Sequence, residues 1–230
     1  MAASTGGKHP GTGCVKSATS CSTEPSRDCS ICPRLMAFRQ QARGKEPDWH
    51  NAPVASFGSR CARLLIVGLA PGLKGANRTG RPFTGDYAGD LLYGTLLDTG
   101  FARGSYGAHP NDGLELVGCR ITNAVRCVPP ANKPTTVEIN ACNGFLAATI
   151  ADMPRLRAIM ALGRIAHDGV LKARDLRKSH FPFGHGRIHD LDGGLSLYDS
   201  YHCSRYNTNT GVLTPQMFTD VLAGIRHALG

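Results

Sequence analysis

The chain has no apolar run near the roughly 18 residues that a membrane-spanning helix needs. Its apolar runs, such as Leu64-Leu65-Ile66-Val67, are strand-sized. The N-terminus lacks the apolar block of a secretory signal, so neither a membrane protein nor an exported one is expected. Acid is scarce: 17 Asp and Glu stand against 26 Lys and Arg, for a formal charge of +9. That balance favours a polyanionic partner without naming one. Two nucleotide signatures are missing. There is no GxxxxGK followed by Ser or Thr, and no GxGxxG opening a helix directly after a strand, which argues against a triphosphate or dinucleotide site. No carboxylate cluster is present to hold a pair of catalytic metals. Nine cysteines is an odd number, in a chain of 230 residues without the small size or leader of a disulfide scaffold. Clustered thiols in a reducing compartment point instead to a metal or a cluster, and to a cytoplasmic protein.

What remains is enough hydrophobic sequence, 41% of the chain, to bury one full core. Residues Met1 to Arg27 are rich in Gly, Ser and Thr, have no hydrophobic periodicity and are read as a disordered tail. One domain is expected over 28–230. A helix is expected from about Pro33 to Ala42, then a polar loop around the single tryptophan, Trp49. Four short apolar runs follow as strands, near 63–68, 118–125, 158–163 and 195–202. Between and after them, helices are predicted over about 87–99, 135–150, 164–173 and 214–229. Strands alternating with helices imply a three-layer α/β/α sandwich around a central, mainly parallel four-stranded sheet. Ligands of such a sheet bind at the carboxyl ends of the strands.

The segment after the first strand, Gly68 to Asp86, packs five glycines into nineteen positions, which lets backbone approach a ligand closely. Its GLAPG and NRTGRPFTGD resemble the first motif of the type-5 (B-type) uracil-DNA glycosylases. Thr122-Asn123-Ala124-Val125-Arg126-Cys127 is similar to the family's base-reading segment. Ser200-Tyr201-His202-Cys203-Ser204-Arg205 and Asn207-Thr208-Asn209-Thr210-Gly211 resemble its C-terminal histidine motif and the loop beyond. The resemblance runs in order from about Cys29 to the C-terminus.

Cys29-x2-Cys32 and Cys127-x14-Cys142 form two pairs. Four thiolates suit tetrahedral zinc or a 4Fe–4S cluster, and spacing does not choose between them. The resemblance implies the cluster, in a structural role that staples the N-terminal helix to the sheet. It further implies a monofunctional hydrolase that flips uracil out of DNA, and also hypoxanthine, xanthine or ethenocytosine, leaving an abasic site. Phe83 is expected to stack on the base, Asn123 to pair with its edge and His202 to donate to the oxygen where charge develops. Leu69 and Ala70 form an apolar first motif where other families carry an acid, so Asp86 is expected to position water, with Asn77 as second choice. Asp86 also reads as a helix cap, ahead of Tyr87. Arg205 and Tyr206 are expected at the DNA. The partner is double-stranded DNA, and single-stranded DNA besides, met at the nucleoid by a monomer. A non-catalytic cluster protein that binds nucleic acid is the alternative; it does not require Phe83, Asn123 and His202 together.

Overall fold

A computed structural model describes residues 23–230. Most of the stretch read as a tail, 1–22, lies outside the described residues. Its end is docked: Glu24 accepts from Ser56 N at 3.0 Å and from Arg126 Nη1 at 2.8 Å.

The first helix, α1 (Pro33–Lys45), starts on a proline whose missing N–H costs nothing at that position. Three layers then assemble around a sheet of order β1-β5-β2-β6-β8-β7. The four expected strands are its parallel centre: β2 (Leu64–Gly68), β5 (Cys119–Asn123), β6 (Ala158–Leu162) and β8 (Leu195–Ser200). The sheet has six strands rather than four. Two antiparallel edges extend it, β1 (Phe57–Gly58) on β5 and β7 (Ile188–Leu191) on β8. Neither edge carries an apolar run, because an edge strand faces water along one side and needs none.

Alternate residues of each central strand face opposite ways. Leu64, Ile66, Ile121 and Met160 pack with Leu92, Tyr93 and Leu96 of α3 (Tyr87–Asp98) and with Phe218, Leu222 and Ile225 of α7 (Pro215–Leu229). Leu65, Val67, Ile159, Ala161 and Leu197 pack with α4 (Thr136–Ala151) and α5 (Arg164–Ala173). A short helix, α2 (Ala76–Thr79), lies in the loop after β2, and α6 (Arg205–Asn209) follows β8. Between α3 and β5 the chain makes a small excursion built on β3 (Ala102–Arg103) and β4 (Glu115–Leu116). Register aligns Gly68 with Asn123, and Leu162 with Ser200. These aligned ends open the space where the expected residues meet.

Candidate active site

A cleft of about 580 Å³ lies at the carboxyl ends of β2, β5 and β8. Leu69, Ala70, Phe83, Asp86, Asn123, His202 and Arg205 all line it. Backbone pairing carries past the strands, Ala124 N to Gly68 O and Val125 N to Leu69 O, both 2.9 Å, and so fixes the floor. Gly68 has no room for a Cβ: the Phe83 ring and Asn123 Oδ1 occupy that space. Glycine there is what lets the aromatic ring and the amide share one end of the cleft.

Asn123 is 2% exposed and its Oδ1 has no hydrogen-bond partner. An unpaired buried acceptor costs about 1–3 kcal/mol; Asn77 Oδ1 is unpaired as well, but of the two amides only Asn123 lines the cleft, where a ligand can donate to it. His202 sits 6.1 Å from the Phe83 ring, centroid to centroid. Burial lowers its pKa to about 4, so the imidazole is neutral at pH 7 and carries one N–H to give. Asp86 takes up the helix cap that its position suggested and lines the cleft as well. One oxygen caps α3 by accepting from Gly89 N at 3.2 Å. The other faces Gly72 and Gly75, where a side chain at position 75 would collide with it. Burial raises the carboxyl pKa above the ordinary value, against the backbone hydrogen bonds that lower it.

Asn77 is a correction. It is fully buried but absent from the cleft lining, because Asn51 Oδ1 accepts from its Nδ2 at 2.8 Å and turns the amide under the first loop. Arg205 lies over the Tyr87 ring, 5.2 Å from its centroid, at the cleft mouth. Tyr206 beside it is 74% exposed.

A family model described as the uracil DNA glycosylase superfamily matches residues 55–226. The chain belongs to that superfamily. It is similar to the type-5 uracil-DNA glycosylase of Thermus thermophilus, 46% identical over 208 residues that cover 88% of this chain and 94% of the relative. The type-5 enzyme of Mycobacterium tuberculosis is 40% identical over 213 residues, covering 88% and 78%. A type-4 enzyme of Pyrobaculum aerophilum is 32% identical over 147 residues, covering 64% and 61%. The chain thus stands with the type-5 branch of the superfamily.

The glycosylase cleft also contains residues that sequence reading passed over. Asn132 lines one wall with a left-handed backbone, φ 56°, directly after Ala131 at φ 53°. Asn tolerates that region better than most residues, and the run Pro129-Pro130-Ala131-Asn132 was the available signal. Tyr87 and Ser204 complete the rim.

Cys29, Cys32, Cys127 and Cys142 converge at one corner with Leu35 and Val125. As thiolates they repel one another: Cys127 feels Cys142, Cys29 and Cys32, and Cys142 feels Cys29. Burial pushes the Cys127 thiol up to about 12, with the Arg39 guanidinium acting in the other direction. Four such groups stay ionised together only around a compensating cation. Four thiols gathered at one corner suit tetrahedral zinc or a cluster. Among the described residues, the ligand atoms of His167, His189 and Asp199 lie within 4.8 Å of one another.

The His167 trio is a satisfied hydrogen-bond network. Nδ1 of His167 lies 2.7 Å from Asp199 Oδ1 and Nε2 lies 2.8 Å from the Phe181 carbonyl, while His189 Nε2 lies 3.1 Å from Asp199 Oδ2. A tetrahedral zinc with bonds of about 2.0–2.1 Å spaces its ligand atoms about 3.3 Å apart, wider than the 2.7 Å seen. The network anchors the 181–187 loop, which packs on Tyr201 through His185 and Phe183 and does not line the cleft.

Proposed function

We propose that this chain excises uracil from DNA by hydrolysing its N-glycosidic bond. The carrying observation is the orphaned Asn123 Oδ1 beside Phe83. Uracil presents an imide N–H next to a carbonyl, which an Asn amide matches with its acceptor and donor. Cytosine has a bare ring nitrogen at that position and mismatches. Xanthine shares the imide edge, hypoxanthine has an N–H beside one carbonyl, and both are proposed as further substrates. Ethenocytosine offers no such N–H, so its removal rests on the apolar, permissive Leu69–Ala70 wall alone.

The flipped base stacks on Phe83, a contact worth about 1–3 kcal/mol. As the C1′–N bond breaks, its electron pair passes to the base, and neutral His202 donates a hydrogen bond to the oxygen that gains charge. The free oxygen of Asp86 holds a water, takes its proton and directs the oxygen to C1′. The products are the free base and an abasic site. No lysine lines the cleft among the described residues, which supports hydrolysis without a Schiff base. Arg205 and Tyr206 meet the DNA around the vacated position in this reading, which the exposure of Tyr206 supports.

Cys29, Cys32, Cys127 and Cys142 would hold a 4Fe–4S cluster, which joins the N-terminal helix to the sheet and supplies no chemical step. Duplex DNA is the proposed partner, with single strands besides, and the protein acts as a monomer at the nucleoid in the cytoplasm. No helix among the described residues is long and apolar enough to cross a membrane.

The test uses labelled duplexes bearing one uracil or one hypoxanthine, then alkali. Strand breakage only after alkali, reduced about 10²–10³-fold by His202→Ala, is the expected result. Protein that carries its iron and binds duplex but frees no base would instead establish the non-catalytic reading.

A further inference from the structure

Phe83 holds its ring in the cleft from a strained backbone, φ 53°. For a bulky side chain this left-handed conformation persists only where the surroundings over-determine it. Here they do. Three successive carbonyls of the turn each accept from a side-chain hydroxyl: Pro82 O from Tyr93 at 2.6 Å, Phe83 O from Tyr106 at 3.3 Å, and Thr84 O from Thr79 at 3.0 Å. The Tyr106 hydroxyl also accepts from Gly85 N at 3.4 Å, so it bridges both sides of the strained residue. Gly89, in the first turn of α3, leaves no room for a Cβ against Phe83 O.

Tyr106 belongs to the excursion between α3 and β5, and its place is fixed by a buried ion pair. Arg81 meets Asp112 with both terminal nitrogens, at 2.8 and 2.6 Å, while its Nε donates to Thr84 Oγ1 at 2.7 Å. Its guanidinium lies 5.3 to 5.8 Å from the rings of Phe57, Tyr93 and Tyr106. Asp112 in turn accepts from Gly107 N at 2.9 Å and Leu114 N at 3.0 Å, which closes the loop that carries Tyr106. Tyr106 and Tyr93 stack at 4.7 Å.

We propose that Tyr106, backed by the Arg81–Asp112 pair, is a positioning residue for the base platform: it holds the Phe83 turn in its strained form before substrate arrives. The inference rests on the stacking role proposed above for Phe83. Tyr106→Phe removes the hydroxyl alone and leaves the ring stack and the ion pair intact. Single-turnover uracil release is measured for Tyr106→Phe, Phe83→Leu and the double variant, with melting temperature and iron content as folding controls. Loss of the bridging hydrogen bonds lowers the rate about five- to tenfold, with iron content unchanged and the melting temperature, lower by about 2–4 °C, still far above the assay temperature. In the Phe83→Leu background the same change has no further effect, because coupled residues do not act independently. An equal loss in both backgrounds, or none in either, overturns the proposal. Full-rate release by Phe83→Leu alone refutes the stacking role itself and takes this inference with it.

Discussion

Asp199 and His202 stand three positions apart at one strand end, yet they belong to polar regions built on opposite terms. Around Asp199, bonding capacity is spent. Both of its oxygens and both nitrogens of His167 have protein partners, and Gly184 N adds a contact at 3.2 Å. Around His202 capacity is held open. Burial keeps its ring neutral, Asn123 Oδ1 has no donor, and one oxygen of Asp86 lies against Gly72 and Gly75. Buried polar groups that are fully satisfied define a structure. Those left wanting lower the stability of the empty protein and keep their bonds for a ligand.

The largest expected departure from this contrast comes at Asp86. Asp86→Asn should keep the helix cap, through its side-chain oxygen, and cut uracil release by about 10²–10⁴-fold. In the native protein the rate should fall as pH drops through the raised Asp86 pKa, since the charged form is the active one. His202 begins to protonate only nearer pH 4. The acidic limb should therefore sit above the ordinary carboxylate range and vanish in Asp86→Asn; a pH–rate profile that keeps this limb in the variant assigns it elsewhere.

His167→Leu tests the satisfied side. It leaves the buried Asp199 short of a partner and should lower stability by about 3–5 kcal/mol, read by urea unfolding, with release per folded molecule within about twofold of native. Replacing the trio together, as His167→Leu, His189→Phe and Asp199→Leu, should recover most of that loss, because an apolar set of similar volume leaves no charge unpaired. A triple variant less stable than the single one would show that the network contributes more than its own satisfaction.

Asn123→Leu should move the two quantities in opposite senses. Removing an unpaired acceptor stabilises the fold by up to about 1–3 kcal/mol, while losing the imide match slows uracil release at least about tenfold. If the variant is instead less stable, the amide is engaged in the empty protein and the contrast between the two regions breaks down.

The legible parts of this molecule are those governed by local pattern. Leu64–Val67 and Ala158–Leu162 announce buried strands because a parallel strand is apolar on both faces. Pro215 and Thr214, or Thr135 with Glu138, mark helix starts by capping chemistry within four residues. The cleft residues were readable through motif order. Facing was not. Asn77 lies in the motif loop, but Asn51, 26 positions away, decides where its amide points. Tyr106 gives no signal, since its role depends on a loop closed by Arg81 and Asp112, 31 positions apart. The edge strands Phe57–Gly58 and Ile188–Leu191 carry mixed residues that pattern alone assigns to loops.

The tie between α1 and α4 has a consequence in time. Arg34 binds Glu138 through two contacts of 2.7 Å across 104 positions of sequence. Synthesis at about 5–20 residues per second separates the two partners by roughly 5–20 s. Throughout that interval Leu35 of α1, and Cys29 and Cys32 ahead of the helix, have emerged while the Cys127–Cys142 corner that receives them is still incomplete. Docking of α1 therefore waits for α4, although α1 precedes every strand of the sheet in chain order.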